Sequence, residues 1–338
     1  MRSPLAIATL LVGLLFALLL SACSGNAADP GTLVVLSHAP SGEVRFMQIG
    51  SGKVTERVVV GGEPAQVVRD LSRGRVYVTD RAGDSVAVVD VVAHALVKRI
   101  PVGREPHFAA LAPDGKRLYV AVTGEGVLAI VDLESLETVA RVPTGNRPMG
   151  VAVSTDGARV YVANDADETI AVIDPGERRR ALRPIPVPGG VYGGLTLSTD
   201  GATLLSGTIG RPAIAALTLS NRELREIPLG EAARGARAAD VIYATPDGAT
   251  WLVGLAGSDI VVAVPVDGST PTAIKTGAHP SGFAAAPGGR VLVSARDGED
   301  LIELDLATRK VTRRIRLGQG YTDVAVFSKS ALEALRGQ

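Results

Sequence analysis

Apolar and polar residues alternate along most of this chain in short runs, and the runs come in sets. Gly150-Val-Ala-Val-Ser-Thr-Asp-Gly157 is followed by Ala158-Arg-Val-Tyr-Val-Ala-Asn164 and then by Thr169-Ile-Ala-Val-Ile-Asp174. Two period-two runs flanking an Asp-Gly turn predict a β-hairpin. The third run adds a strand after a polar loop, and weaker segments such as Thr138 to Pro143 add a fourth before each new set.

The set repeats. Equivalent turns fall at Arg73-Gly74, Asp114-Gly115, Asp156-Gly157, Asp200-Gly201, Asp247-Gly248 and Gly288-Gly289, spaced by 41, 42, 44, 47 and 41 residues. That period is the length of a four-stranded propeller blade. Second strands recur as Arg75-Val-Tyr-Val78, Arg117-Leu-Tyr-Val120, Arg159-Val-Tyr-Val162 and Arg290-Val-Leu-Val293. Third strands recur as Ser85 to Asp90, Val127 to Asp132 and Asp300 to Asp305. Six blades are therefore visible internally. Tyr321 to Phe327 reads as a first strand without followers, and Thr32 to Ser37 with Glu43 to Gln48 as followers without a leader. Pairing them predicts an all-β, seven-bladed β-propeller whose N- and C-terminal strands close one blade and remove two open sheet edges. The predicted propeller spans residues 32–327, and residues 328–338 form a tail able to make one or two helical turns.

Composition agrees with a turn-rich β body. Apolar residues make up 46%, aromatics only 4%, and there are 39 glycines and 20 prolines. Formal net charge is zero, so nothing global supports binding to nucleic acid, which favours a basic face. The single cysteine, Cys23, excludes an intrachain disulfide. It lies just after Arg2 and an uncharged run from Leu5 to Leu20, which is short for a membrane span and suits a signal sequence over residues 1–22. Residues 23–31 then form a short linker.

Leu20-Ser21-Ala22-Cys23 resembles the lipobox of bacterial lipoproteins. The resemblance implies lipidation of Cys23 and a periplasm-facing protein anchored to the cell envelope. Ser24 follows the cysteine in place of Asp, which by the same resemblance prefers the outer membrane in a Gram-negative host. Arg159-Val-Tyr-Val-Ala-Asn164, with Arg147-Pro148 and Ser154-Thr-Asp-Gly157, is similar to the YVTN-repeat family of β-propellers, including YncE-like periplasmic proteins and the propeller of cytochrome cd1-type proteins. The blade from Leu195 to Pro228 departs most, with Leu204-Leu-Ser-Gly207 where Tyr and Asn are expected.

In a propeller the first strand of each blade lines the channel, and loops at one mouth gather residues from all blades. Strand entries and loops there nominate Arg104, His107, Arg147, Tyr192, Arg237, His279 and Tyr321 as ligand-binding residues. The lengthened repeat around Gly230 to Asp240 is predicted to form a helical turn presenting Arg234 and Arg237 over the channel. His38, His107 and His279 lack helical ligand spacing and there is no cysteine beside them, so no metal site is predicted. No linear catalytic signature is present, so the reading leans away from catalysis. Three functions follow. The first is a binding or scaffold protein, without a cofactor, engaging an envelope protein or a small anionic ligand at the mouth. The second, implied by the resemblance, is a haem d1 or other tetrapyrrole-binding or maturation protein. There Arg104, Arg147 and Arg237 would pair with carboxylates and His107 or His279 would ligate iron; the d1-binding relatives have eight blades where this chain has seven. The third is a lactonase-like hydrolase or lyase using Glu63, Glu105, Asp240 or Asp323.

Overall fold

The computed structural model describes residues 31–337, except residues 177, 178, 209 and 211. The signal segment, Cys23 and most of the linker lie outside the described residues. Among the described residues no helix is long and apolar enough to cross a membrane.

Seven antiparallel sheets are arranged as blades. Blade 1 comprises Tyr321–Phe327, Leu33–His38, Glu43–Gln48 and Lys53–Val59, so the two chain ends close it as the repeat predicts. The remaining blades begin with the innermost strands Pro64–Asp70, Pro106–Leu111, Pro148–Val153, Tyr192–Leu197, Ala238–Ala244 and Pro280–Ala286, taken in order as blades 2 to 7. Each innermost strand packs against that of the next blade, including blade 7 against blade 1. The outer strand of blade 4 is broken into Arg180–Ala181 and Ile185–Pro186.

The repeat residues do structural work. Gly74, Gly115, Gly157, Gly201, Gly248 and Gly289 all have φ between 61° and 72°, the left-handed conformation that glycine adopts without a Cβ penalty. Second and third strands are buried almost throughout, as in Val76, Val78, Val120, Val162 and Val293. The repeat tyrosine serves the turn. The Tyr77 hydroxyl donates to Asp70 Oδ2 at 3.0 Å, while Asp70 Oδ1 accepts from Ser72 and Arg73 main-chain N–H groups. Outer strands alternate exposed and half-buried residues, and their arginines stitch neighbouring blades: Arg99 Nε donates to Val60 O at 2.8 Å and Arg313 Nη1 to Ile49 O at 2.7 Å. Helix α1 (Lys329–Arg336), capped by the Ser328 hydroxyl, lays Leu332 and Leu335 on the blade 1–2 core.

Blades also approach each other closely at their inner ends. A Cβ at Gly207 would collide with the carbonyl oxygen of Ala239 in the next blade. Because that obstacle is backbone, Gly207→Ala is expected to lower stability by about 1–3 kcal/mol, read as a fall in the urea midpoint.

Candidate functional site at the channel mouth

Every innermost strand is bulged near its start. In blades 2 to 5 ladder pairing slips between the first and fourth residues of the strand, as from Pro64 to Val67, Pro106 to Ala109 and Pro148 to Val151. In blade 6 it slips between Ala239 and Val241, in blade 7 between Pro280 and Gly282, and in blade 1 between Tyr321 and Asp323. A bulge of this kind frees main-chain groups and re-aims side chains. The second and third residues of these strands therefore face the axis: His107 and Phe108, Met149, and Gln66. With Tyr192, Asp240, Ser281, Thr322 and Asp323 they line a cavity of about 300 Å³ to which all seven blades contribute.

The bulge explains two of these positions. Gln66 Oε1 accepts the freed N–H of Ala109 in blade 3 at 2.6 Å. Asp323 Oδ2 accepts the equivalent N–H of Val67 in blade 2 at 2.8 Å. Asp240 occupies the same register but reaches instead to His279 Nε2, 3.3 Å away in blade 7. His279 Nδ1 lies 3.1 Å from Asp297 Oδ2. With a carboxylate on each ring nitrogen, both nitrogens serve best as donors. The Asp240 hydrogen bond accordingly holds the His279 pKa above its ordinary value, against the opposing effect of burial.

His107 is the opposite case. Its ring faces the cavity and stands 4.9 Å from that of Phe108. Desolvation, reinforced by the Arg81 and Arg296 charges, pushes its pKa down to about 4, so the imidazole is neutral near pH 7. Arg296 lines the same cavity, and its Nε is buried without a hydrogen-bond partner. Among the described residues it forms no ion pair. Arg81 and Arg147, by contrast, are paired with Glu63 at 3.1 Å and Asp165 at 3.2 Å. Tyr243 and Phe283, stacked with centroids 5.9 Å apart, also line the cavity.

Of the residues nominated from sequence, His107, Tyr192 and His279 line the cavity. Arg147 stands at its rim, 63% exposed. The other three do not reach it. Glu105, Arg147 and His279 each precede the proline that opens their strand, with φ of 54°, 54° and 58°. Arg104 is one residue out of this register. Its side chain turns away, donating to Gly124 O at 2.9 Å. Tyr321 occupies the proline position itself and is buried between blades, accepting from Arg45 Nη1 at 2.7 Å and packing edge-on against His38. Arg237 packs over Gly257, just after the second strand of blade 6, and does not line the cavity. The insertion does make a helical turn, a 3-10 turn over Gly230–Ala233. Arg234 from it is paired with Glu231 and borders a second, open cavity beyond His279, so neither arginine overhangs the channel. His38 is held by Ser41 Oγ and Gln319 O. Sequence reasoning places Arg296 in the loop after the second strand of blade 7, at the same mouth and matching Arg81 in blade 2, but does not nominate it as a ligand-binding residue.

Residues 72–193 match the model of the family described as the cytochrome D1 heme domain. That stretch is less than half of the chain and includes His107, Phe108, Met149 and Tyr192. No curated protein matches the sequence. Among solved structures, hydrazine synthase of Kuenenia stuttgartiensis is 19% identical over 79% of this chain and 90% of its own, with a TM-score of 0.69. A putative 6-phosphogluconolactonase from Bacteroides uniformis is 16% identical over 88% and 99%, with a TM-score of 0.72. The dihydro-heme d1 dehydrogenase NirN, in complex with DHE, is 15% identical over 86% and 64%, with a TM-score of 0.63. At these identities the solved structures establish the propeller fold, and over residues 72–193 the chain is similar to the cytochrome D1 heme domain.

Proposed function

We propose that the channel mouth binds an anionic, tetrapyrrole-type ligand, with Arg296 pairing with one of its carboxylates and the neutral imidazole of His107 available to its metal. The observation that carries this reading is the pairing of an arginine without a counter-ion and an uncharged imidazole in one cavity. A half-buried guanidinium favours a planar, bidentate anion, and a neutral imidazole is the protonation state that ligates iron. Phe108, Tyr192 and Met149 supply the apolar and aromatic wall that a macrocycle requires. The enclosed volume is smaller than a whole macrocycle, so the ring enters by one edge and its rim remains at the mouth. His279, with both nitrogens engaged by carboxylates, serves as a wall and not as a ligand. The family match over residues 72–193 supports the reading, because it covers the strand that carries His107. Likeness to putative lactonases rests on fold alone and assigns no role to Asp240 or Glu63.

The protein is on this reading a binding protein of the cell envelope, held at the membrane by lipid on Cys23. Both parts are open to direct test. Residues 24–338 produced in a tetrapyrrole-synthesising host are expected to carry a chromophore, seen as a Soret-type band and as bound mass under native ionisation. A colourless protein at its bare chain mass, and no gain of bound mass after incubation with tetrapyrroles, contradicts the ligand reading. Lipidation is tested separately by the mass of Cys23 in full-length protein.

A further inference from the structure

The cavity has an inner wall that the carboxylate-and-imidazole reading leaves unused. One residue deeper than the mouth, Asp323 and Ser281 face the cavity from blades 1 and 7. The structural duty at position 323 is to accept one N–H from the next blade. In blade 2 the same duty is performed by an uncharged amide, Gln66. A carboxyl group is therefore more than the fold requires. Its second oxygen, Oδ1, lies against Gly282, at a place where a Cβ would collide with both Asp323 Oδ1 and the Ser294 hydroxyl. The hydroxyls of Ser281 and Ser294 are both buried without a hydrogen-bond partner. Buried polar groups left this way call for an explanation; Ser281 lines the cavity, where a ligand atom supplies one, whereas Ser294 lies behind Gly282 and does not line it.

Among the described residues no charged side chain offsets the burial of Asp323. The other charged or titratable groups lining the cavity are His107, Tyr192, Asp240, Tyr243, His279 and Arg296, on blades 3, 5, 6 and 7. Arg69, on blade 2, donates to Val326 O. Desolvation accordingly pushes the Asp323 pKa up to about 7, against the Val67 N–H bond.

We propose that this inner wall is a specificity subsite for the same ligand, in which the Asp323 carboxyl and the Ser281 hydroxyl donate hydrogen bonds to an uncharged acceptor, a carbonyl-type oxygen, on the ligand's inserted edge. The inference rests on the proposed tetrapyrrole site and adds to it an orientation: carboxylates at the mouth with Arg296, neutral oxygen inside with Asp323. A site built to hydrogen-bond an oxygen discriminates against an analogue that lacks it, because its own polar groups are then left unpaired.

The test compares two probes, iron protoporphyrin IX and iron 2,4-diacetyldeuteroporphyrin, which differ in carrying vinyl or acetyl groups on one edge. At pH 6 the protein is expected to bind the diacetyl probe at least about tenfold more tightly, a preference worth one hydrogen bond. The preference should weaken above pH 7, survive without that pH dependence in Asp323→Asn, which can still cap Val67 and donate, and vanish in Asp323→Leu. Equal affinities for the two probes, or a preference unchanged in Asp323→Leu, overturns the inference while leaving the tetrapyrrole site standing. Failure of both probes to bind overturns the tetrapyrrole site and the inference with it. Infrared difference spectra of the ligand-free protein and Asp323→Asn give a readout that needs no probe: absence of a protonated-carboxyl band at pH 6 also overturns the inference.

Discussion

Truncation after Gly320 is expected to abolish cooperative unfolding, although it removes only 18 of 338 residues. The lost segment contains the innermost strand of blade 1, whose Tyr321, Val324, Ala325, Val326 and Phe327 are all at most 4% exposed. Each such side chain contributes about 1.5–3 kcal/mol by burial, Ala less, so the sum is comparable with the whole stability of a typical domain, about 5–15 kcal/mol. The strand also holds the ring together. It pairs with Leu33–His38 in its own blade, Thr322 bonds Ser37 Oγ at 2.7 Å, and Asp323 caps blade 2. Without it, blade 1 presents an open inner edge and blades 2 and 7 lose their neighbour. Calorimetry should show no sharp transition. A truncated chain that melts sharply near the full-length temperature would contradict the closure.

The pH profile of stability is the second large effect, and it is hidden in the native protein. Asp323 has a native pKa of about 7 against 3.8 for the free side chain. Between those values the native state holds the extra proton, so this contribution is present at low pH and lost as pH rises through 7. His107 has a native pKa of about 4 against 6.5. There the unfolded chain holds the extra proton, so stability rises with pH across that window. The two slopes oppose each other between about pH 4 and 6.5. Asp323→Asn should expose the His107 slope, with stability rising by up to about 3 kcal/mol, and His107→Gln should expose the Asp323 slope, with stability falling by up to about 4 kcal/mol by pH 7. Hydration of the cavity reduces both. His279, with its raised pKa, adds a loss of stability as pH rises above 6.5 in every variant. Urea midpoints at half-unit steps measure these slopes; variants that both track the native curve would show that the two groups are not buried as described.

Blade number and closure were legible in the chain because a propeller repeats its turn chemistry. Gly115 and Gly157 stand out as Asp-Gly pairs at fixed spacing, and each marks one hairpin. The site was legible only in part. His107 and His279 were found because strand entries cluster at one mouth, but a one-residue difference in register separates Glu105 from Arg104, and sequence spacing does not resolve it. Tyr321 takes the buried proline position of other blades and so packs into the core, where its side chain meets Arg45 and His38 and does not line the channel cavity. Arg296 was placed at the mouth by its loop but not nominated, because its distinction lies in what it lacks, a counter-ion, and ion pairs between blades have no sequence period. The bulge that turns Asp240 towards His279 is likewise a property of the folded ladder.

The most direct test of the mouth as a tetrapyrrole site is an absorbance titration of residues 24–338 with iron protoporphyrin IX, run in parallel on His107→Ala and Arg296→Leu. Saturable one-to-one binding with an imidazole-type Soret shift is predicted. The shift should be lost in His107→Ala, and affinity should fall about tenfold or more in Arg296→Leu, the cost of removing a charged hydrogen bond. Absence of binding, or identical spectra and affinities in all three proteins, would contradict it.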